Sequence, residues 1–287
     1  MLVVRRYTVA FEGVAMKCTA FRAVLLAVMT VWSGLVASGS TLQSQVTGQT
    51  RPRTVGETPE GNGLRAWAIL NKADGLQSML DSGVAVDDRD SHGNSALMLA
   101  ASYGSTDAVD LLLNRGADAN AVNKMRQTAL MKAAWIGSAQ IVRTLVARGA
   151  DLNMADDHGR NALHHAVDGL NPPLVSMLPQ LALDPNLTDS QGRTALMYIA
   201  SRSVPSAPKT IRALIAGGAA VDARNRTGQT ALMIAAEMGA TGSAQELVRR
   251  GASVNARDWR GRTARSYAAE GGEMQIAILL ERAGAIE

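Results

Sequence analysis

The side chains that could do chemistry are few. Four histidines stand among 287 residues, and three of them, His158, His164 and His165, lie close together, with His92 apart. Such a group raises the question of a Zn or Cu site, because imidazole suits both metals. Adjacent residues on a helix point about 100° apart, however, so His164 and His165 are poorly placed to share an ion. A hydrolytic nucleophile would need Ser or Thr, His and Asp converging from different parts of the chain, and no motif announces one. Glycines come singly rather than as a phosphate-cradling loop. Cys18, the one cysteine, lies in the first 39 residues, which read below as a leader, so its removal would leave no thiol for catalysis. The residues therefore predict no catalytic site, no metal and no cofactor, and the chain reads as a non-enzyme.

Composition narrows the choice further. The formal charge is +4. Arg5, Arg6, Lys17 and Arg22 against the single acid Glu12 in the first 39 positions account for most of it. Beyond them stand 25 basic and 24 acidic residues, so the basic isoelectric point does not imply nucleic acid. Aromatic residues are 3% of the chain, too few for base-stacking platforms.

Residues 23–37, AVLLAVMTVWSGLVA, form an uncharged apolar run preceded by Lys17 and Arg22 and followed by small residues. That order is the signature of a secretory leader. The run is shorter than the roughly 20 residues that span a bilayer core. Residues 1–39 are thus expected to be a signal peptide cut after Gly39, with an uncleaved membrane anchor as the alternative and Met16 as an alternative start. Export would leave a chain without cysteine, free of disulfide chemistry. No membrane insertion is expected after leader removal. Residues 40–56, polar and aperiodic, read as a linker.

Beyond the linker the chain repeats. Ser95-Ala96-Leu97, Thr128-Ala129-Leu130, Asn161-Ala162-Leu163, Thr194-Ala195-Leu196 and Thr230-Ala231-Leu232 recur at spacings of 33, 33, 33 and 36 residues, and a worn copy follows at Thr263-Ala264. A second marker keeps the period, from Gly116 to Asn120, Gly149 to Asn153 and Gly251 to Asn255. Each unit opens with turn chemistry, as in Asp90-Ser91-His92-Gly93, in which an Asx side chain bonds local backbone and Gly takes positive φ. Ser, Thr or Asn then caps a first helix, whose apolar stripe in the second unit is Leu97, Met98, Ala100 and Ala101. A second helix carries Val109, Leu112 and Leu113 at helical spacing, and Gly116 ends it in the left-handed region. Pro205 and Pro208 enlarge the inter-helix loop of the 36-residue unit.

This pattern resembles the ankyrin repeat, whose consensus joins a D-x-x-G-x-T-P-L-H turn and helix to a G-A-D-x-N tail. Ala stands here for the family's Pro, and Met98, Met131, Met197 and Met233 for its His, which only His164 keeps. Met packing must take the place of the family's Thr–His hydrogen bond in those units. The resemblance covers residues 57–287 in units 57–89, 90–122, 123–155, 156–188, 189–224, 225–257 and 258–287. It implies an all-α solenoid of about seven helix-turn-helix units with short β-hairpin tips, and end units that present a wet outer face. His92 and His158 fall at tips. The positions left free by the repeat, which in the family face a concave binding surface, give the candidate protein-binding residues. Tyr103, Met125, Trp135 and Ile136 form one cluster, joined by His92, Arg160 and Arg202, with Trp259 and Arg260 at the last tip. Aromatic and Arg residues are the commonest interface anchors. The resemblance thus implies a non-catalytic scaffold or adaptor that binds another protein, and the leader makes it an exported one, periplasmic or secreted. Accessory support of an enzyme, neutralisation of a toxin and a secreted host-directed effector are its alternative forms.

Overall fold

The computed structural model describes residues 59–286, with side chains from Gly63 onward; the leader at 1–39 and the linker at 40–56 lie outside the described residues. Seven helix pairs follow one another: α1 Pro59–Ile69 with α2 Ala73–Asp81, α3 Ala96–Tyr103 with α4 Thr106–Asn114, and α5 Ala129–Ile136 with α6 Ala139–Ala147. Then come α7 Ala162–Asp168 with α8 Pro172–Met177, α9 Ala195–Ala200 with α10 Ala207–Ala216, α11 Ala231–Glu237 with α12 Thr241–Arg249, and α13 Ala264–Glu270 with α14 Met274–Arg282. First helices stack on first helices to form an inner layer, and second helices form an outer layer.

The helices start where the sequence places a cap. The side-chain oxygens of Ser95, Thr128, Thr194, Thr230 and Thr263 each accept the backbone N–H three residues on, and Asn161 does so for Leu163 and His164. Such caps are each worth about 0.5–2 kcal/mol. Just inside each cap but the last, an Ala-Leu pair and the residue after it are buried, and Met98, Met131, Met197 and Met233 are essentially inaccessible. Alanines on both sides let neighbouring first helices approach closely, so the core is a continuous ribbon of small and branched side chains between the layers.

The tips differ from the expected β-hairpins. Among the described residues they contain only isolated backbone pairs, Arg89 with Ser95 and Thr188 with Thr194. The reason is local: Asp90 Oδ1 accepts the backbone N–H groups of both His92 and Asn94, and Asp156, Asp189 and Asp258 repeat the arrangement. Side chains thus take the donors that a strand ladder would use. Tips are tied to one another by single backbone bonds, Lys124 to His92, Asp157 to Met125, Ser190 to His158, Arg226 to Gln191 and Trp259 to Thr227.

Junctions between units are also clamped by side chains. Asn120 donates to the Gly149 carbonyl and accepts from Asp151 N, Asn186 does the same with Gly218 and Ala220, and Asn255 with Gly284 and Ile286. Asn153 makes no such forward bond among the described residues. At that same junction α8 is cut to six residues and passes into a 3₁₀ turn at Leu178–Leu181. Consecutive outer helices pack together along the layer, except that α6 and α8 make little or no contact. In the 36-residue unit the extra length lies in residues 201–206 between α9 and α10, with Pro208 in the first turn of α10. The last unit turns Arg265 toward Glu281, at 2.8 Å, where other units bury leucine.

Candidate functional site

In the fourth, fifth and seventh units the tip is joined to its first helix by a polar clasp built from three repeat positions. In the fifth unit, Asp189 Oδ2 accepts from the Tyr198 hydroxyl at 2.8 Å and from Arg193 Nη2 at 2.9 Å, and the guanidinium lies 4.6 Å from the Tyr198 ring centroid. Asp258, Arg262 and Tyr267 repeat this in the seventh unit, with Tyr267 2.8 Å from Asp258 and the guanidinium 4.2 Å from the ring centroid. Burial pushes the Asp189 carboxyl up, but the N–H groups of Arg193 and Gln191, the Tyr198 hydroxyl and the guanidinium outweigh it and hold the group below its ordinary value. The Tyr198 phenol is pushed up to about 12 by burial and by its bond to Asp189. Asn takes the place of Asp in the third and sixth units, and there Gln takes the place of Arg: Asn123 bonds Gln127, and Asn225 bonds Gln229. Asp and Arg thus change together in the third to seventh units, whereas Asp90 of the second has the neutral Asn94 as its side-chain partner.

In the fourth unit the clasp opens onto a pocket. Asp156 Oδ2 meets Arg160 Nη2 at 3.0 Å and His165 Nε2 at 3.1 Å, with His165 standing where the neighbouring unit has Tyr198. Arg160 continues to Asp168 at 3.2 Å, and the other Asp168 oxygen receives Arg202 from the next unit at 2.6 Å. Burial, then the nearby Arg160 charge, hold the His165 imidazole below its ordinary value, against the pull of Asp156. Across from this network stands Lys132 of α5, whose Nζ donates to Gln127 Oε1 at 2.6 Å. Ser102, Met131 and Trp135 complete the lining of a cleft of about 330 Å³ that spans the second to fourth units. That volume is at the lower end of ligand pockets, roughly 300–1,000 Å³, and accommodates one or two side chains.

Glycine closes the floor behind Trp135. A Cβ at Gly169 would lie 1.8 Å from the Trp135 carbonyl oxygen, which also accepts from Asn171 Nδ2 at 2.9 Å. The end of α7 can approach the end of α5 only because residue 169 has no side chain.

The structure leaves Trp135 55% exposed, Tyr103 65% and Met125 49%, on the second and third units beside the pocket. Ile136 is half-buried, beside the backbone at Gly104. His92 and Arg260 are exposed at their tips. Arg160 and Arg202 are not free cations but share Asp168. Trp259 is 68% exposed yet fixed: its Nε1 donates to the Arg226 carbonyl at 3.1 Å, Arg224 stacks 5.3 Å from its ring centroid, and its ring covers Gly228. His164 turns away from His165, toward Asn161 at 2.7 Å and the Arg193 carbonyl at 3.1 Å. Of the pocket residues, Lys132 escaped the sequence reading, and His165 entered it only as a metal-ligand candidate that was set aside. A signal was there: the register Leu99, Lys132, His165, Tyr198, Ile234, Tyr267 changes chemistry from unit to unit beside neighbours that stay Ala, Leu or Met.

Comparison with known proteins agrees with this architecture. The family model described as ankyrin repeats in three copies matches residues 64–156, 116–189 and 163–258, which together span most of the chain. No curated protein matches it significantly. Helix pairs at a 33-residue period, turn-first units and these matches lead to one assignment: the chain belongs to the ankyrin-repeat family, whose members generally act by binding other proteins.

Proposed function

We propose that this protein is an exported, non-catalytic adaptor that holds a partner protein against the inner-helix face and tips of its solenoid. The observation that carries the reading is the exposure of Tyr103, Met125 and Trp135: three large apolar side chains left open on the second and third units, in a chain with few aromatics, with Trp135 itself lining a charged cleft. Exposed aromatics bordering a polar pocket are the usual anchors of an interface. The cell envelope is proposed as its place on the strength of the apolar run at 23–37; among the described residues no helix is long and apolar enough to cross a membrane.

The test separates binding from folding. Trp135→Ala is expected to leave thermal unfolding nearly unchanged, within about 0.5 kcal/mol as exposed changes usually are. It should weaken capture of a co-purifying envelope protein about thirtyfold, the equivalent of roughly 2 kcal/mol. Leu130→Ala removes a fully buried side chain and should cost about 2–5 kcal/mol of stability. If Trp135→Ala unfolds the protein, the residue is core and the binding face lies elsewhere. For the leader, N-terminal sequencing of the envelope form is expected to begin near residue 40, and a start before residue 30 would replace the signal peptide with an anchor.

A further inference from the structure

The cleft beside Trp135 holds a positive charge that no carboxylate among the described residues answers. Lys132 is half-buried, and its ammonium has the Gln127 side-chain oxygen as partner but no carboxylate at ion-pair distance among the described residues. Burial holds that ammonium below the ordinary lysine range, with no opposing carboxylate. An ammonium has three donors, so two remain for something else. The other charges of the wall are matched: Arg160 bridges Asp156 and Asp168, and Arg202 takes the second Asp168 oxygen. One positive charge is therefore in excess, in a cleft the size of one or two side chains and bordered by an exposed indole.

We propose that this cleft is a receptor for one acidic side chain, Asp or Glu, of the partner protein, with the carboxylate on Lys132 and the side-chain stem against Trp135. The inference rests on the reading of the inner face as a protein-binding surface and names the chemistry that surface selects. A carboxylate matches the excess charge one for one, whereas a phosphate would bring close to two negative charges against Asp156 and Asp168 in the same wall. Part burial makes such a charge-assisted hydrogen bond stronger than its counterpart on an open surface.

The experiment is a selection of random peptides displayed on phage against the full protein. Selected sequences are resynthesised with amidated C-termini, so that no terminal carboxylate can substitute, and titrated by fluorescence anisotropy. Peptides whose binding requires Trp135 are expected to carry Asp or Glu at one fixed position. Replacing that residue with Asn or Gln, or making Lys132→Met, should each lower affinity tenfold or more, about 1.4 kcal/mol, while Arg143→Ala, exposed on the outer helix α6, changes it little. To separate charge from packing, Lys132→Glu is paired with a peptide bearing Lys at the acidic position, and binding by this swapped pair supports the proposal. Peptides that depend on Trp135 but ignore both the acid and Lys132 overturn the carboxylate and leave the inner-face reading standing. A phosphoserine that binds more tightly than Glu at that position also overturns it. A selection yielding no Trp135-dependent peptide sinks both readings.

Discussion

At position 164 a histidine stands where Met98, Met131, Met197 and Met233 stand in other units, and the substitution has a thermodynamic signature. His164 and His165 are buried, and burial holds both imidazoles below their ordinary value. The unfolded chain therefore binds protons first as pH falls. The stability is fully present above about pH 6.5 and is lost below it, by at most about 1.4 kcal/mol per pH unit for each histidine. Asp156, Asp189 and Asp258 are instead held low, so their contribution is lost only below about pH 4. Replacing Asn161 and His164 together by Thr and Met, as in neighbouring units, also removes the buried Asn161 Nδ2 that has no partner. This double variant should lose about half of the decline in melting temperature between pH 7 and 5; an unchanged decline would show that His164 does not titrate on unfolding. At this scale the sequence was partly legible. Exposure of Tyr103, Met125 and Trp135 followed from their place in the repeat. The pairing of Arg160 and Arg202 through Asp168 did not, because it joins side chains 34 residues apart whose meeting depends on how units stack.

Among elements, the caps and the long loop were readable because each rests on the chemistry of one or two residues: a hydroxyl at the helix start, or a proline that cannot continue a helix. The absence of strands at the tips was not, since a period of 33 says where a turn lies but not which groups take its N–H donors. The shortened α8 had a visible cause in Pro179, which has no N–H to donate to the next helical turn; Pro172 and Pro173 lie in the first turn, where proline is tolerated. Its end is strained as well. Ala182 occupies φ 68, where other units have Gly at 83, 116, 149, 218, 251 and 284. A left-handed residue with a side chain costs about 1–2 kcal/mol, and glycine returns part of that as unfolded-state entropy. Ala182→Gly is therefore expected to raise stability by about 0.5–1 kcal/mol in urea titration, and a loss would mean that the Ala182 methyl packs more than its backbone strains.

In the whole molecule, three observations fall on one junction. Between the third and fourth units Asn153 makes no forward clamp, α6 and α8 make little contact, and the following helix is short and strained at its end. Solenoid stability is a sum of unit and neighbour terms, so the weakest neighbour term sets where the array opens first. Hydrogen exchange is expected to be fastest, within the outer layer, at residues 171–183, with α4 and α12 protected for longer; uniform protection along the outer layer would remove the weak junction. The inner layer tells the opposite story at the same place, for α5 and α7 pack closely there and Gly169 lets their ends touch. A joint that is tight on one side and loose on the other bends rather than breaks. The cleft bordered by Trp135 lies on the tight side, across the line of bending, so a change in the bend changes its width. A partner seated there would feel a jaw, with the rest of the array acting as its two rigid arms.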